Sequence, residues 1–143
     1  MKAISVRQPW AWSIVQGYKP VENRTWAPRY VGPLLIHAGQ VFDDEGLRSM
    51  LAVFPDLEAQ LPQRWDLGGI VGIADAVECV TFHPSRWFVG PYGLVLRNAR
   101  PLPFVHWPGQ LGFFNVPDDI QGLGLHAMSG AEAEAQAGQQ RMF

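Results

Sequence analysis

Hydrophobic residues recur along the chain with two spacings, and the spacing of β-strands dominates. In AISVR at 3–7, Ile4 and Val6 alternate with polar residues, which is the period of a strand with one buried face. GGIVGIADAVECV at 68–80 is almost continuously apolar, and Gly72 within it predicts a bulge or a close backbone approach. The apolar segments together predict six strands, at 3–7, 20–26, 32–39, 68–80, 91–103 and 111–116.

Two other segments carry the spacing of helices. The first lies between Pro9, which favours the first turn of a helix, and Gly17, which favours the position after its end. The second, DDEGLRSMLAVF at 43–54, has acidic residues in its first turn and Pro55 directly after its end. Its apolar face, spaced i, i+3, i+4 and i+7, consists of Leu47, Met50, Leu51 and Phe54. Residues 55–67 are expected to be irregular or to contain a short helical turn.

This combination of six strands and two helices predicts an α+β fold. Because the strands are short and prolines interrupt many of them, we expect a small, curved antiparallel β-barrel covered by two or three helices. Neither a repeat nor a linker divides residues 1–122, which are expected to form one domain. Residues 123–143, rich in Ala, Gln and Glu, are expected to form a C-terminal tail that is either helical or disordered.

The composition indicates a folded protein of the cytoplasm. Of 143 residues, 48% are hydrophobic and 17% charged, so a sizeable core can form and disorder is not expected for most of the chain. No apolar run is long enough to span a membrane, and the first ten residues lack the apolar stretch of a signal peptide. Cys79 is the single cysteine, which excludes an intrachain disulfide and suits a reducing compartment.

Charge is distributed unevenly along the chain. Residues 1–42 hold five basic side chains against one acidic, a net charge of +4, whereas residues 43–143 hold six basic and twelve acidic, a net charge of −6. A basic lobe on an acidic molecule attracts an anionic ligand to one place. We therefore expect a small or single-stranded ligand, and binding of duplex DNA is disfavoured.

Several kinds of site are excluded by the motifs that are missing. The four histidines have no zinc-site spacing, and GxGxxG, GxxxxGK[ST] and GxSxG do not occur. We expect neither a metal nor a cofactor. His37, within the apolar run LLIHA, is expected to be a hydrogen-bonded histidine of the core.

The stretch GYKPVENRTW at 17–26 concentrates charge where a strand begins. In a strand at 20–26 the side chains alternate, so Glu22, Arg24 and Trp26 face one way and Val21, Asn23 and Thr25 the other. Lys19 lies at the start of this strand, so the helix ending near Gly17 must fold back against it. The three charges then line a groove, where one carboxylate holds one cation and leaves the other for a ligand. An exposed ion-pair ladder is the alternative that the ten residues leave open.

The chain resembles the ASCH domain family, a branch of the PUA-like superfamily. The resemblance rests on AISVRQPWAWSIVQGYKPVENRTW, GPLLIHAG, GGIVGIADAVECV and PYGLVLRNARPL, and it covers about residues 3–116. The family signature Gly-x-Lys-x-x-Glu-x-Arg is matched at Gly17, Lys19, Glu22 and Arg24.

This resemblance implies a PUA-like barrel whose cleft binds single-stranded RNA or a modified nucleoside. Lys19, Glu22 and Arg24 would be its central groups, and the catalytic ones if it is an enzyme. The ligand-binding residues would be Arg7, Trp10, Asn23 and Trp26, with a tryptophan stacked on a base.

Whether the chain catalyses a reaction stays open in the sequence. One branch of the family hydrolyses N4-acetylcytidine without a metal, using the lysine, a threonine and a distant glutamate, but this chain has Glu22 at the threonine position. Asp75 or Glu78 would then supply a second carboxylate. Ribonuclease activity is the other enzymatic alternative, with Glu22 as base. A non-catalytic interaction domain is the third possibility.

Overall fold

A computed structural model describes residues 1–119 of the chain, and one mixed β-sheet organises them. The strands are β1 (Lys2–Gln8), β2 (Val21–Arg24), β3 (Gly32–Phe42), β4 (Gly69–Val80), β5 (Tyr92–His106) and β6 (Phe113–Asn115). The helices are α1 (Trp10–Val15), α2 (Asp44–Val53) and a 3₁₀-helix at Pro55–Gln60. The expected tail at 123–143 lies outside the described residues.

The six strands lie in the order β2-β5-β4-β3-β1-β6. All neighbouring strands are antiparallel except β1 and β3, which run parallel. The α+β class is therefore confirmed, and the expected small, curved antiparallel β-barrel is confirmed only in part, since the sheet is mixed and is not closed. Hydrophobic periodicity locates strands without giving the direction of their partners, and the chain passes through α1 and β2 before β3 pairs with β1, a connection long enough for a parallel pair.

Alternation along the strands places apolar side chains on both faces of the sheet. In β3, Leu34 and Ile36 belong to one cluster with Ile14 of α1, while Leu35 belongs to another with Phe114 of β6. These side chains are at most 4% exposed. The helix α1 thus covers one face of the sheet, and this position brings the residues that follow it beside β2.

Gly72 lies where β4 approaches two other elements closely. A Cβ at this position would stand 2.4 Å from Cγ1 of Val15 and 2.5 Å from the carbonyl oxygen of Arg100. The register of β4 against β5 also shifts between Ile70 and Gly72. The bulge and close approach predicted at this glycine are both present.

A third apolar cluster lies under α2. Met50, 2% exposed, packs with Trp12 and Leu57, and Phe54 lies at its edge. Asp43 caps α2, since its Oδ1 accepts a hydrogen bond of 2.8 Å from the amide of Gly46. Within residues 1–119, no helix is long and apolar enough to cross a membrane.

Candidate functional site

Gly17 directs the chain from α1 into the edge strand β2. Its φ of +87° is a left-handed conformation that ends the helix. The amides of Tyr18 and Lys19 then both donate to the carbonyl of Ser13, at 3.0 Å each. Lys19 is thereby held against the helix and next to β2, as the short connection predicts.

Lys19, Glu22 and Arg24 form a buried ion triad. The Nζ of Lys19 lies 2.5 Å from Oε1 of Glu22, and Nη2 of Arg24 lies 2.9 Å from Oε2 of the same carboxylate. Lys19 is 4% exposed and Glu22 is 7% exposed. One carboxylate therefore compensates two cations, and a net charge of +1 remains in a place with little water. Burial of an incompletely compensated charge is costly unless another group stabilises it.

The ammonium of Lys19 also has unused hydrogen-bonding capacity. Its three N–H groups are donors, and the bond to Glu22 is its single hydrogen bond among the residues that the structure describes. The ring of Trp10, whose centroid is 5.7 Å from Nζ, stabilises the charge but accepts no strong hydrogen bond. The ammonium is thus equipped to donate to the polar atoms of a ligand.

Arg24 connects β2 to the first strand. Its Nη2 donates a hydrogen bond of 2.8 Å to the carbonyl of Ser5, and its guanidinium carbon lies 5.9 Å from the ring centroid of Trp26. The Nε of Arg24 is buried and has no hydrogen-bond partner in residues 1–119. The guanidinium is therefore held in place while part of its donor capacity stays unused.

On one side of the triad lies a cavity of about 340 Å³ with aromatic walls, here called the aromatic cavity. Its lining includes Trp10, Lys19, Glu22, Met50, Phe54 and Trp87. Phe54 and Trp87 are stacked, with centroids 4.3 Å apart and planes at 14°, and Trp10 meets Trp87 edge-on at 6.4 Å. The guanidinium carbon of Arg86, which also lines this cavity, lies 5.1 Å from the ring centroid of Phe54. The walls are flat π surfaces beside a buried cation.

On the other side lies a larger and more polar cavity of about 920 Å³, here called the basic cavity. Its lining includes Ser5, Arg7, Arg24, Trp26, Gly39 and Gly109. Trp10, Glu22 and Asn23 line both cavities, so the two adjoin at the signature motif. Arg7 and Arg24 give this side a positive charge.

Asn23 holds the loop that carries Trp87. Its Nδ2 donates to the carbonyl of Trp87 at 2.9 Å, and its Oδ1 accepts from the amides of Val89 and Gly90 at 2.9 and 3.1 Å. Both ends of the carboxamide are therefore engaged by the protein, so Asn23 positions one wall of the aromatic cavity.

Trp10 is fixed from the side of α2. Its Nε1 donates a hydrogen bond of 3.0 Å to Oδ2 of Asp43. This bond, the bond from the Gly46 amide and the charges of Arg7 and Arg48 lower the pKa of Asp43 below its ordinary value of 3.8. Asp43 stays ionised near neutral pH and holds the indole in place.

The structure brings together all seven residues that the sequence selects. Lys19 lines the aromatic cavity, Arg7, Arg24 and Trp26 line the basic cavity, and Trp10, Glu22 and Asn23 line both. Strict alternation, however, was wrong for Asn23 and Thr25, since both line the basic cavity. For Thr25 the reason is that β2 ends at Arg24, so a residue beyond that end no longer follows the pleat.

Two expectations about carboxylates and aromatic residues need correction. Asp75 and Glu78 line neither cavity, and Asp75 instead accepts a hydrogen bond of 2.9 Å from Asn98. Sequence reasoning also missed Trp87 and assigned Phe54 only to the packing face of its helix. The one local signal for this wall was the Arg86–Trp87 pair in a loop, which is a weak signal by itself.

His37 is a buried histidine with two hydrogen-bond partners, as its apolar surroundings predict. It is 1% exposed; its Nδ1 lies 3.0 Å from Oγ of Ser5 and its Nε2 lies 2.6 Å from the carbonyl oxygen of Trp107. Burial lowers its pKa below the ordinary 6.5, although the bond to Trp107 opposes this shift. The ring is therefore neutral at pH 7. Within the described residues 1–119, no three acidic, histidine or cysteine side chains are grouped to hold a metal ion.

Comparison with known proteins places the chain in a family. The model of the ASCH domain matches residues 4–100. Among solved structures, the chain is similar to the ASCH protein of Zymomonas mobilis, with a TM-score of 0.54 and 13% identity over 82% of this chain and 88% of the other. A mutant form of that protein gives the same TM-score and identity, with 82% and 90% of the chains covered. No curated protein matches the sequence significantly. At such low identity the structural likeness concerns the fold, whereas the match over residues 4–100 shows that the chain belongs to the ASCH domain family.

Proposed function

We propose that the cleft formed by the aromatic cavity and the basic cavity binds an unpaired nucleoside, either within single-stranded RNA or as a free, modified nucleoside. The base lies in the aromatic cavity, and the ribose and phosphates lie in the basic cavity. The observation that carries this proposal is the ammonium of Lys19, which is 4% exposed, lines the aromatic cavity, and shares with Arg24 the carboxylate of Glu22, a residue that lines both cavities.

The two cavities complement the two chemical parts of a nucleotide. Stacking of a base on an aromatic side chain contributes about 1–3 kcal/mol and tolerates any base, because every base has a π face. Trp87 and Trp10 supply such faces in the aromatic cavity. Arg7 and Arg24 supply the positive charge that a phosphate requires in the basic cavity. Both volumes, about 340 and 920 Å³, lie within the range of about 300–1,000 Å³ that small-molecule sites occupy.

The shape of the site favours an unpaired base over a duplex. A base inside a double helix is stacked and paired, and it enters a recess only after it has been extruded at a cost. The acidic remainder of the chain also repels a long polyanion. Membership of the ASCH domain family, whose PUA-like domains generally bind RNA, supports the same class of ligand.

Hydrolysis of the bound ligand is a second proposal, with one observation in its favour. Glu22 is held between two cations, an arrangement in which a carboxylate can orient water while Lys19 and Arg24 stabilise developing negative charge. An amidohydrolase or a ribonuclease would use these groups. Binding without reaction is preferred, because neither Asp75 nor Glu78 reaches the cleft as a second carboxylate.

Thermal denaturation with a panel of nucleosides and short single-stranded RNAs tests the proposal. A ligand at 100 times its Kd stabilises the folded state by about 2.7 kcal/mol and raises the Tm. We expect this rise in the natural chain and its loss in Lys19→Met, which removes the charge and keeps the length of the side chain. Thr81→Ala, which alters an exposed residue outside both cavities, is the matched control.

The response to salt separates the two forms of the ligand. Binding of RNA should weaken steeply with salt, because phosphate contacts release counterions, whereas binding of an uncharged nucleoside should respond little. If no nucleoside and no RNA raises the Tm, the proposal is wrong and the domain interacts with something other than a nucleoside.

A further inference from the structure

A serine hydroxyl and a histidine that the cleft chemistry does not use lie together on two parallel strands. Ser5 of β1 pairs with His37 of β3 in the sheet register, and the two side chains are joined by the 3.0 Å contact between Oγ and Nδ1. On the far side of the ring, Nε2 lies 2.6 Å from the carbonyl oxygen of Trp107.

These partners define the tautomer of the ring. A carbonyl oxygen only accepts hydrogen bonds, so Nε2 must carry the proton. In the neutral ring Nδ1 is then an acceptor, and the hydroxyl of Ser5 donates to it. A hydroxyl that donates to an imidazole, whose other nitrogen is oriented by a third group, is the arrangement that activates a serine as a nucleophile.

This hydroxyl lies beside two glycines in the wall of the basic cavity. Ser5 lines the basic cavity together with Gly39 and Gly109. A Cβ at Gly39 would stand 3.4 Å from Oγ of Ser5, and a Cβ at Gly109 would stand 3.3 Å from it. Side chains at these two positions would cover the hydroxyl, and the two glycines leave it accessible from the cavity.

We propose that Ser5 and His37 form a nucleophile–base pair that cleaves a carboxylic ester bound in the basic cavity. The carbonyl of Trp107 orients the imidazole. Because Arg7 and Arg24 line the same cavity, the ester carries an anionic group on its acid or its alcohol part. This proposal does not depend on the nucleoside proposal, since it requires neither Lys19 nor the aromatic cavity, although both proposals place part of a ligand in the basic cavity.

The reaction proceeds in two balanced steps. Oγ of Ser5 attacks the carbonyl carbon and its proton passes to Nδ1 of His37; the carbon–oxygen bond to the alcohol then breaks, and the alcohol leaves with that proton. Water next attacks the acyl-serine with His37 as base, which releases the acid and restores the hydroxyl. The third group is a neutral carbonyl, which stabilises an imidazolium less than a carboxylate does, so an ester suits the pair better than an amide with its poorer leaving group.

A fluorophosphonate probe tests the nucleophile directly. Such a probe loses fluoride and forms a bond from phosphorus to the oxygen of an activated serine. We expect one adduct in the mass of the intact natural chain, located on Ser5 by peptide mapping. Ser13, Ser49 and Ser85 are serines of the same described region, and they should remain unmodified. Because mapping is done on the natural chain, the result does not depend on a variant that must fold.

Turnover of a p-nitrophenyl ester gives the second readout. Ser5→Ala should lower the rate by about 100-fold or more, as loss of an activated nucleophile does, while Thr81→Ala keeps the natural rate. The adduct on Ser5 is expected whether or not a nucleoside raises the Tm, so the two proposals fail independently. The proposal is overturned if no adduct forms, if the adduct lies on another residue, or if Ser5→Ala hydrolyses the ester as fast as the natural chain does.

Discussion

Glu22→Gln should destabilise the protein far more than Lys19→Met, although both remove one charge from the same ion triad. In Glu22→Gln, the Nζ of Lys19 and the Nη2 of Arg24 lose the carboxylate that lies 2.5 and 2.9 Å away, and two cations remain beside a neutral amide. In Lys19→Met, the carboxylate keeps Arg24 and no charge is left without a partner.

The expected magnitudes follow from burial. Removing one partner of a buried ion pair costs about 3–5 kcal/mol. The side chain of Arg24 is 19% exposed, so water screens part of its charge, and we expect the lower end, about 3 kcal/mol. Replacement of the buried Lys19 by an apolar side chain of similar size should change the free energy of unfolding by about 1 kcal/mol or less.

Urea denaturation followed by tryptophan fluorescence and by circular dichroism measures both free energies. For a domain of this size, a loss of 3 kcal/mol lowers the Tm by about 10–15 °C, whereas Lys19→Met should shift it by no more than about 5 °C. Equal and small effects of the two substitutions would refute the reasoning, because they would show that the triad is solvated and its charges are compensated by water.

Three further predictions concern the walls and supports of the cleft. Asn23→Ala should cost about 1–3 kcal/mol, since three hydrogen bonds to residues 87–90 are lost, and hydrogen exchange of the Val89 amide should speed up; unchanged exchange would contradict the positioning role. Gly72→Ala should cost about 1–3 kcal/mol in urea denaturation, because its Cβ would meet side-chain and backbone atoms at 2.4 and 2.5 Å; a neutral effect would mean that β4 moves freely. Asp43→Ala should lower the stability by about 1 kcal/mol at neutral pH. Since the pKa of Asp43 is lower in the folded protein, the stabilisation by its carboxylate is intact above pH 3.8 and is lost as the pH falls through the folded pKa. If the Tm difference between the natural chain and Asp43→Ala persisted in acid, the stabilising role of the ionised carboxylate would be contradicted.

The local part of the structure could be predicted from the sequence. Alternation, apolar runs and their Gly and Pro boundaries predicted the six strands, the i, i+3, i+4, i+7 pattern predicted α2, and the turn chemistry of Gly17 predicted how Lys19 returns to β2. The ion triad followed from the same reasoning, since Glu22 and Arg24 are two residues apart in a strand and share a face.

Long-range pairing could not be predicted in this way. Periodicity does not indicate which strands become neighbours or in which direction they run, so the parallel pair of β1 and β3 was missed. The stacked pair of Phe54 and Trp87 joins residues 33 positions apart in different elements, and Ser5 meets His37 across 32 positions. Such contacts arise from tertiary packing, and no single segment carries a signal for them.

Titration of a short, fluorescently labelled single-stranded RNA, at two salt concentrations, into the natural chain and into Lys19→Met tests the central claim most directly. The natural chain should bind and lose affinity with salt, and Lys19→Met, folded and of similar Tm, should bind at least about tenfold more weakly, as the loss of a buried charged hydrogen bond implies. Equal affinity of the two proteins would contradict the account. So would the absence of RNA binding together with the absence of stabilisation by any nucleoside.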